Sequence, residues 1–212
     1  MTMEKVRMAV IGLGNMGAHH CDVIAGMEGA ELTAVCDVDE RRVQKAAKYG
    51  CRGYTDADIL FRESELDAVV IATPHYHHTD LTIKAFERGV HVLTEKPIAA
   101  QLSDAGRMIA AWSEARRSRP DLLFAAMFQQ RTQAAAVKIR DILEQGELGK
   151  LIRATWIITD WYRTQAYYDS GGWRATWKGE GGGVLMNQCP HQLDMYQWFF
   201  GLPKRVRGFA SL

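Results

Sequence analysis

The sequence has 212 residues, of which 47% are hydrophobic and 24% charged, and its formal net charge is +1. This balance is typical of a globular protein of one or two domains and excludes a strongly basic surface for nucleic acid. There is no apolar run of membrane-spanning length, no recognisable secretory signal and no C-x-x-C pair among the cysteines. We therefore expect a cytoplasmic protein with reduced thiols, no membrane association and no metal site.

Residues 1–128 alternate between short apolar runs and amphipathic segments. The apolar runs predict strands at 6–12, 31–37, 67–73, 90–95 and 122–128. Helical periodicity and glycine stops predict helices at 15–27, 39–50, 78–89 and 102–117. Because near-continuous apolar strands separated by helices pair in parallel with both sheet faces covered, these residues are predicted to form a doubly wound α/β domain.

Residues 129–212 follow a different pattern. We predict a helix at 132–149, a long strand at 150–163, a helix at about 184–200 and the start of a strand at 204–212. Two strands are only marginally stable alone. We therefore expect a truncated α+β domain that further chain or a partner completes.

The segment GLGNMG at 12–17 matches the pattern G-x-G-x-x-G, with a predicted strand before it and a predicted helix after it. In a dinucleotide-binding loop, Gly12 permits the tight turn, Gly14 lets the backbone approach a pyrophosphate and Gly17 allows helix and strand to pack closely. The helix that begins at Asn15 and Met16 offers free amides to the phosphates. The alternative interpretation is a glycine turn without a ligand.

Asp37 ends the second predicted strand, 20 residues after Gly17. A dinucleotide-binding domain places an acid there for the ribose hydroxyls. Because a carboxylate repels a 2′-phosphate, NAD is favoured over NADP. Arg41 and Arg42 lie nearby and would tolerate the additional phosphate, and a solvated aspartate without a ligand is the alternative.

Two further segments, ATPHYHH at 72–78 and TEKPIA at 94–99, follow predicted strands at the edge where such sheets bind ligands. With the glycine loop, they resemble the glucose–fructose oxidoreductase / inositol dehydrogenase (Gfo/Idh/MocA) family. GELGKL at 146–151 and GGGVLMNQCPHQLD at 181–194 are also similar to that family. His75 departs from it, because the family usually has asparagine there. The residues that match its two ligand-edge motifs are Thr73, Pro74, His78, Glu95, Lys96 and Pro97. The resemblance implies that all of these except Pro97 bind the cofactor.

The resemblance implies a Rossmann domain, here 1–128, that binds NAD. It also implies a second domain with an open, mostly antiparallel sheet, here beginning at 129, that binds substrate and forms a homodimer or homotetramer. The implied activity is hydride transfer between the nicotinamide and a sugar, inositol or related polyol. Two alternatives stay open: an NAD-dependent glycosidase that oxidises its substrate transiently, and a non-catalytic dinucleotide-binding protein.

Lys96 and His191 are the implied catalytic residues. Histidine suits a general base because its ordinary pKa, about 6.5, lies near working pH. Lys96 would hold the reacting oxygen by a charge-assisted hydrogen bond. A cis bond before Pro97 would fix the turn that aims the lysine.

Asn187, His191 and Asp194 are spaced i, i+4 and i+7, so one helix would present all three on one face. The family often has aspartate at position 187, and asparagine cannot take a proton. This leaves Asn187 an orienting or substrate-binding role, and Asp194 is expected to bind substrate hydroxyls or to orient its neighbours. A solvent-exposed polar stripe is the alternative.

The aromatic and arginine-rich stretch 160–183 is a candidate substrate-covering loop. Aromatic faces suit sugar rings, and arginines suit hydroxyls or a carboxylate. Packing of the domain or of an oligomer interface is the alternative. The candidate residues are Tyr162, Arg163, Tyr167, Arg174 and Trp177.

Overall fold

The computed structural model describes residues 4–159, 162–169, 172–174 and 176–209. The strands in these residues are β1 (Val6–Ile11), β2 (Ala30–Cys36), β3 (Arg52–Tyr54), β4 (Ala68–Ile71), β5 (His91–Thr94) and β6 (Phe124–Ala126). The helices of the first part are α1 (Asn15–Ala25), α2 (Glu40–Ala46), α3 (Ala57–Glu63), α4 (His78–Glu87) and α5 (Leu102–Ala115). The later helices are α6 (Ala134–Glu144), α7 (Gln165–Asp169), α8 (Trp177–Glu180), α9 (Val184–Asn187) and α10 (Pro190–Phe200).

The six strands pair in the order β3-β2-β1-β4-β5-β6, and every pairing is parallel. Strand order reverses beside β1, so a crevice opens where β1 and β4 end. The predicted parallel α/β sheet is therefore confirmed as a Rossmann-like domain. None of the helices in the described ranges is both long and apolar enough to cross a membrane.

Side chains of successive strand residues enter two separate apolar cores, as the two-residue period of a strand requires. Ala9, Ile11, Val69 and Ile71 pack on one face with side chains of α3, α4 and α5. Val10, Val35 and Val70 pack on the other face with side chains of α1 and α2. Burial on both faces explains why these strands read as continuous apolar runs.

The strand predicted at 150–163 differs from the structure, which shows no strand at 151–159 or at 162–164; residues 160 and 161 lie outside the described part. A strand needs a hydrogen-bonded neighbour, and the described sheet pairs only β1 to β6. Its aliphatic side chains are largely exposed, Ile152 at 84% and Ile157 at 76%. Residues 205–209 also form no strand, and 210–212 lie outside the description.

The helix predicted at 184–200 is broken into α9 and α10. Pro190 has no backbone N–H to donate and occupies the first turn of α10. Asn187 therefore ends one helix, while His191 and Asp194 belong to the next. The argument that one helix aligns all three residues is wrong, and their relation must be read from their contacts.

Candidate active site

Three loops meet where β1, β4 and β5 end. Backbone hydrogen bonds fix them to neighbouring strands: Gly12 donates to Cys36 O at 2.7 Å, Ala72 to Ile11 O at 2.8 Å and Glu95 to Ile71 O at 2.8 Å. The glycine loop, the 72–78 segment and the 94–97 turn consequently lie side by side at the carboxyl edge of the sheet, where doubly wound folds bind ligands.

The glycine loop has the shape that a dinucleotide requires. Gly12 has φ +91°, and a Cβ there would lie 2.7 Å from the backbone of Ala72. At Gly17 a Cβ would lie 1.7 Å from the Gly12 carbonyl oxygen, whereas at Gly14 it would meet no protein atom within 4 Å. Asn15 and Met16 are exposed in the first turn of α1, where no side chain caps the free amides. The open side of the loop can therefore receive a pyrophosphate.

Asp37 is 6% exposed, and its carboxylate braces the glycine loop. Oδ2 accepts from Leu13 N–H at 2.7 Å and from Arg42 at 3.3 Å, and Oδ1 accepts from Asp39 N–H at 2.8 Å. An ionised carboxylate has about four acceptor positions, so about one is left for a ribose hydroxyl.

The 72–78 segment contributes one unpaired polar atom and one buried histidine that lies between two backbone carbonyls. Thr73 Oγ1 is buried and has no hydrogen-bond partner in the described part of the chain, so a ligand group there would be stabilising. Pro74 precedes the short 3₁₀ turn 75–77. His78 is completely buried, with Nε2 2.8 Å from Thr73 O and Nδ1 3.0 Å from Pro97 O. It ties two loops of the site together instead of facing the cleft.

Glu95 faces inward rather than toward the cleft. Its Oε1 lies 2.8 Å from Nε2 of His20, and its Oε2 accepts from Lys96 N–H at 3.1 Å. Burial alone would raise the pKa of Glu95, but the hydrogen bond and charge of His20 outweigh it and hold that pKa below its ordinary value. Helix α1, which carries the phosphate loop, is thereby linked to the turn that carries Lys96.

Lys96 is half-buried and followed by a cis peptide bond to Pro97, as predicted. Its Nζ donates a 2.7 Å hydrogen bond to the backbone carbonyl of Asn187. Burial lowers the Lys96 pKa first of all, and repulsion from Arg174 and Arg163 lowers it further, against the attraction of Glu95 and Glu180. The lysine is thus a directed cation that joins the sheet edge to α9.

His191, in the first turn of α10, is half-buried and packs edge-on against Phe128 with ring centroids 6.1 Å apart. Its Nδ1 is buried without a hydrogen-bond partner among the described residues. Burial, followed by the positive charge of Lys96, lowers the His191 pKa. The neutral imidazole is therefore favoured near pH 7, in the form that accepts a proton.

Asn187 connects two parts of the site. Its carbonyl accepts from Lys96, and its side-chain amide donates to Oε1 of Glu180. Glu180 is 3% exposed, and its own backbone carbonyl lies 2.9 Å from Nδ1 of His75. Because a carbonyl only accepts, Nδ1 of His75 must carry the hydrogen.

Asp194 does not stand free for a substrate. It is 8% exposed and forms a two-pronged ion pair with Arg131, in which Arg131 Nε donates to Oδ2 at 2.8 Å and a second nitrogen donates to Oδ1. The pair lies in a cleft with Ile98, Phe128 and Gln197. Its most direct effect is to join the 129–132 turn to α10, which carries His191.

The candidate substrate loop divides into a packed part and an exposed part. Tyr167 receives hydrogen bonds from Arg174 at 2.9 Å and from Gln188 at 3.2 Å, and the guanidinium groups of Arg163 and Arg174 lie over its ring at 4.7 and 4.6 Å. Tyr162 and Trp177 are 82% and 79% exposed. The structure therefore brings Arg163, Tyr167 and Arg174 together and leaves Tyr162 and Trp177 exposed.

We expect His75 to make stability fall in acid. Burial lowers the His75 pKa from 6.5 to about 4. Between those values the unfolded chain binds a proton that the folded chain excludes, so the free energy of unfolding falls as pH drops from 6.5 toward 4, by roughly 3 kcal/mol for this group. Denaturant titration of His75→Asn should show a smaller fall.

The exposed His77 offers a matched control, because His77→Asn makes the same substitution on the surface and should not reproduce the effect of His75→Asn. An equal fall in wild type and His75→Asn would contradict the assignment.

Sequence reasoning did not single out His20, Arg131 or Glu180. His20 had a usable signal, because it shares the buried face of α1 with Gly17, Cys21 and Ile24, and a histidine there needs a polar partner. Glu180 stands alone among glycines in KGEGGG, which hinted at a specific role. Arg131 had no signal, since its partner Asp194 is 63 residues away.

Two family models match this chain. The model described as an oxidoreductase family with an NAD-binding Rossmann fold, GFO_IDH_MocA, matches residues 6–118. The model of the GFO/IDH/MocA C-terminal domain matches residues 136–212.

Relatives and solved structures are similar to between 70% and 96% of the chain. Inositol 2-dehydrogenase from Arthrobacter sp. (strain FB24) is 36% identical over 70% of this chain and 44% of the relative. 2,7-Anhydro-N-acetylneuraminate hydratase from Mediterraneibacter gnavus is 29% identical over 96% of this chain and 52% of the relative. The WlbA dehydrogenase from Bordetella pertussis, solved in complex with NADH and UDP-GlcNAcA, has a TM-score of 0.81 and 29% identity over 93% of this chain and 59% of that one. The chain spans about half the length of the curated relatives it matches.

Proposed function

The chain belongs to the GFO/IDH/MocA oxidoreductase family, and we propose that the protein transfers a hydride between a sugar, inositol or related polyol hydroxyl and NAD. The first domain is an NAD-binding Rossmann fold. The observation that carries the proposal is that Lys96, from the turn after β5, donates to the Asn187 carbonyl, three residues before α10 begins. His191, in the first turn of α10, has a buried Nδ1 that is unpaired within the described chain.

The residues present fit a dinucleotide. The open space above Gly14, the uncapped start of α1 and the unpaired Thr73 Oγ1 lie along one edge of the sheet. Gly14, Asn15 and Met16 would hold the pyrophosphate, and Asp37 the ribose. Bound NAD supplies the acceptor for the hydride that leaves the substrate carbon.

His191 and Lys96 divide the remaining work. Neutral His191 takes the proton of the substrate hydroxyl, and its lowered pKa keeps it in the accepting form at pH 7. Lys96, held by the Asn187 carbonyl, donates a hydrogen bond to the same oxygen and stabilises the negative charge that develops there. In the reverse direction, His191 returns the proton.

The cations beside the site guide the choice of substrates to test. The charges of Arg163 and Arg174 reach Lys96, and Arg174 Nε is buried without a partner in the described residues. An acidic sugar would interact favourably with these groups, so the substrate panel should contain uronic acids as well as inositols and neutral sugars.

The test is nicotinamide reduction by the protein with that panel. Net NADH formation with at least one member is the expected result. Release of free sugar without net NADH would indicate an NAD-dependent glycosidase instead. NAD binding by calorimetry without turnover of any member would indicate a non-catalytic dinucleotide-binding protein.

Replacement of Asp37 is expected to change cofactor selectivity. The Asp37 carboxylate repels a 2′-phosphate, so the wild type should bind NAD at least about tenfold more tightly than NADP, a difference of about 1.4 kcal/mol. Asp37→Asn keeps the side-chain size and removes the charge. It should therefore reduce the ratio of NAD affinity to NADP affinity, as measured by calorimetry.

Asp39→Asn is the matched control, because the Asp39 carboxylate pairs with Arg41 in the same segment, whereas the Asp37 carboxylate accepts from Leu13 N–H of the glycine loop. A selectivity ratio that changes equally in both variants would contradict the role of Asp37.

The rest of the chain fits the same proposal. Residues 136–212 match the model of the family's C-terminal domain. A mostly antiparallel sheet in this domain stays a prediction, because the described residues contain no strand after β6. The division of the chain at 128/129, assembly into a homodimer or homotetramer and the cytoplasmic location stay predictions.

A further inference from the structure

Glu180 is a buried acid that the proposed chemistry does not use. It is 3% exposed, although glutamate is among the residues least often buried without a partner. Its side chain accepts from the Asn187 amide, and its backbone is fixed twice, by its N–H to Thr176 O at 2.9 Å and by its carbonyl against His75 Nδ1 at 2.9 Å. These three hydrogen bonds hold the Glu180 carboxylate in a defined position.

We propose that Glu180 is a positioning residue whose carboxylate acts through Asn187 to orient Lys96 and to stabilise its positive charge. The connection is continuous: Glu180 accepts from the Asn187 side chain, and the Asn187 carbonyl accepts from Lys96 Nζ at 2.7 Å. The inference rests on the proposed function for its consequence in catalysis, but its electrostatic part concerns this chain alone.

The charges around Lys96 make this contribution necessary. Arg163 and Arg174 repel the lysine, His75 and His191 are favoured in their neutral forms, and the adjacent acid Glu95 is engaged by His20. Two carboxylates favour the charged form of Lys96, and Glu180 is the second of them beside Glu95. Loss of that charge should lower the Lys96 pKa, because an opposite charge nearby favours ionisation.

Glu180→Gln separates charge from shape. Glutamine keeps an oxygen that accepts from Asn187, so the hydrogen bond survives while the charge is lost. In the double variant Glu180→Gln/Asn187→Asp, the carboxylate lies on residue 187 instead of residue 180. The side chain of residue 180 then donates the hydrogen bond between them, and the side chain of residue 187 accepts it. Glu147→Gln, in an exposed turn, is the matched control.

The deciding measurement is an NMR titration of the ¹³C-labelled lysine ε-carbons without NAD, with the Lys96 signal assigned by its loss in Lys96→Met. The Lys96 pKa should fall by about one unit in Glu180→Gln, return in the double variant and stay unchanged in Glu147→Gln. An unchanged pKa in Glu180→Gln overturns the proposal. If that variant does not fold, the double variant decides: a wild-type pKa supports the proposal and a lowered one overturns it.

Enzyme kinetics separate this inference from the proposed function. With a substrate that is oxidised, the alkaline limb of kcat/KM should shift to lower pH in Glu180→Gln, because less Lys96 is charged. A purely structural brace would leave that limb in place. If no substrate is oxidised, the proposed function fails while the titration still tests Glu180.

Discussion

Lys96→Met should lower kcat by about 10²- to 10³-fold while leaving the Kd for NAD within about threefold of wild type, because removing one stabiliser of developing negative charge typically costs that much. Methionine keeps much of the length of the buried stem and loses the ammonium group. The Nζ hydrogen bond to Asn187 O is lost with it. Steady-state kinetics and calorimetry on the same preparation measure the two quantities.

His191→Gln tests the second proposed catalytic residue. Glutamine retains a polar group but cannot act as a base near pH 7, so kcat should fall by about 10²- to 10⁴-fold. Lys138, in α6, provides a control: it is exposed, and Lys138→Met should leave kcat unchanged. A kcat near the wild-type value in both site variants would remove Lys96 and His191 from the chemistry.

Gly17→Ala should abolish NAD binding and destabilise the fold. The new Cβ would lie 1.7 Å from the Gly12 carbonyl oxygen. Because that oxygen belongs to the backbone and the Cβ position is fixed by the backbone of residue 17, helix α1 must move away from β1. We expect a loss of several kcal/mol in the free energy of unfolding, the range of severe overpacking or broken backbone geometry. Chemical denaturation and calorimetry report the two effects.

Two other glycines make this test specific. A Cβ at Gly14 meets no protein atom within 4 Å, so Gly14→Ala should keep the stability but weaken NAD binding about 100-fold by occupying the space of the pyrophosphate. Gly29 also has open space around it and lies outside the loop, so Gly29→Ala should change neither quantity. NAD affinity that survives in Gly14→Ala would exclude this loop as the phosphate site.

The parallel sheet could be predicted because its physical cause is local. β1, β2, β4 and β5 are apolar on both faces, and that composition follows from helices covering both sides. β3 was missed, because Arg52–Tyr54 is only three residues long and Gly53 leaves no side chain to reveal a pattern. The segment 150–163 was placed in a strand on side-chain preference alone, but a strand also depends on a partner that composition does not reveal.

Sequence motifs named the residues of the candidate site but not most of their contacts. The glycine loop and Lys96 belong to motifs that follow strands at the sheet edge, and His191 was implied by the resemblance to the family. The inward contacts of Glu95, His78 and Asp194 could not, since each depends on a group distant in sequence. Those contacts make the three residues supports of the site in this structure, and direct contact with cofactor or substrate stays a prediction for them.

The most direct test of the proposed reaction is to follow the transferred hydride with a deuterium label. The protein is incubated with NAD and a panel of sugars, inositols and uronic acids that carry deuterium on their hydroxyl-bearing carbons, and the nicotinamide is analysed by mass spectrometry. We predict deuterated NADH in an amount equal to the carbonyl product, and its loss in Lys96→Met and His191→Gln. Absence of deuterium from the nicotinamide with every panel member, while NAD still binds, would contradict it.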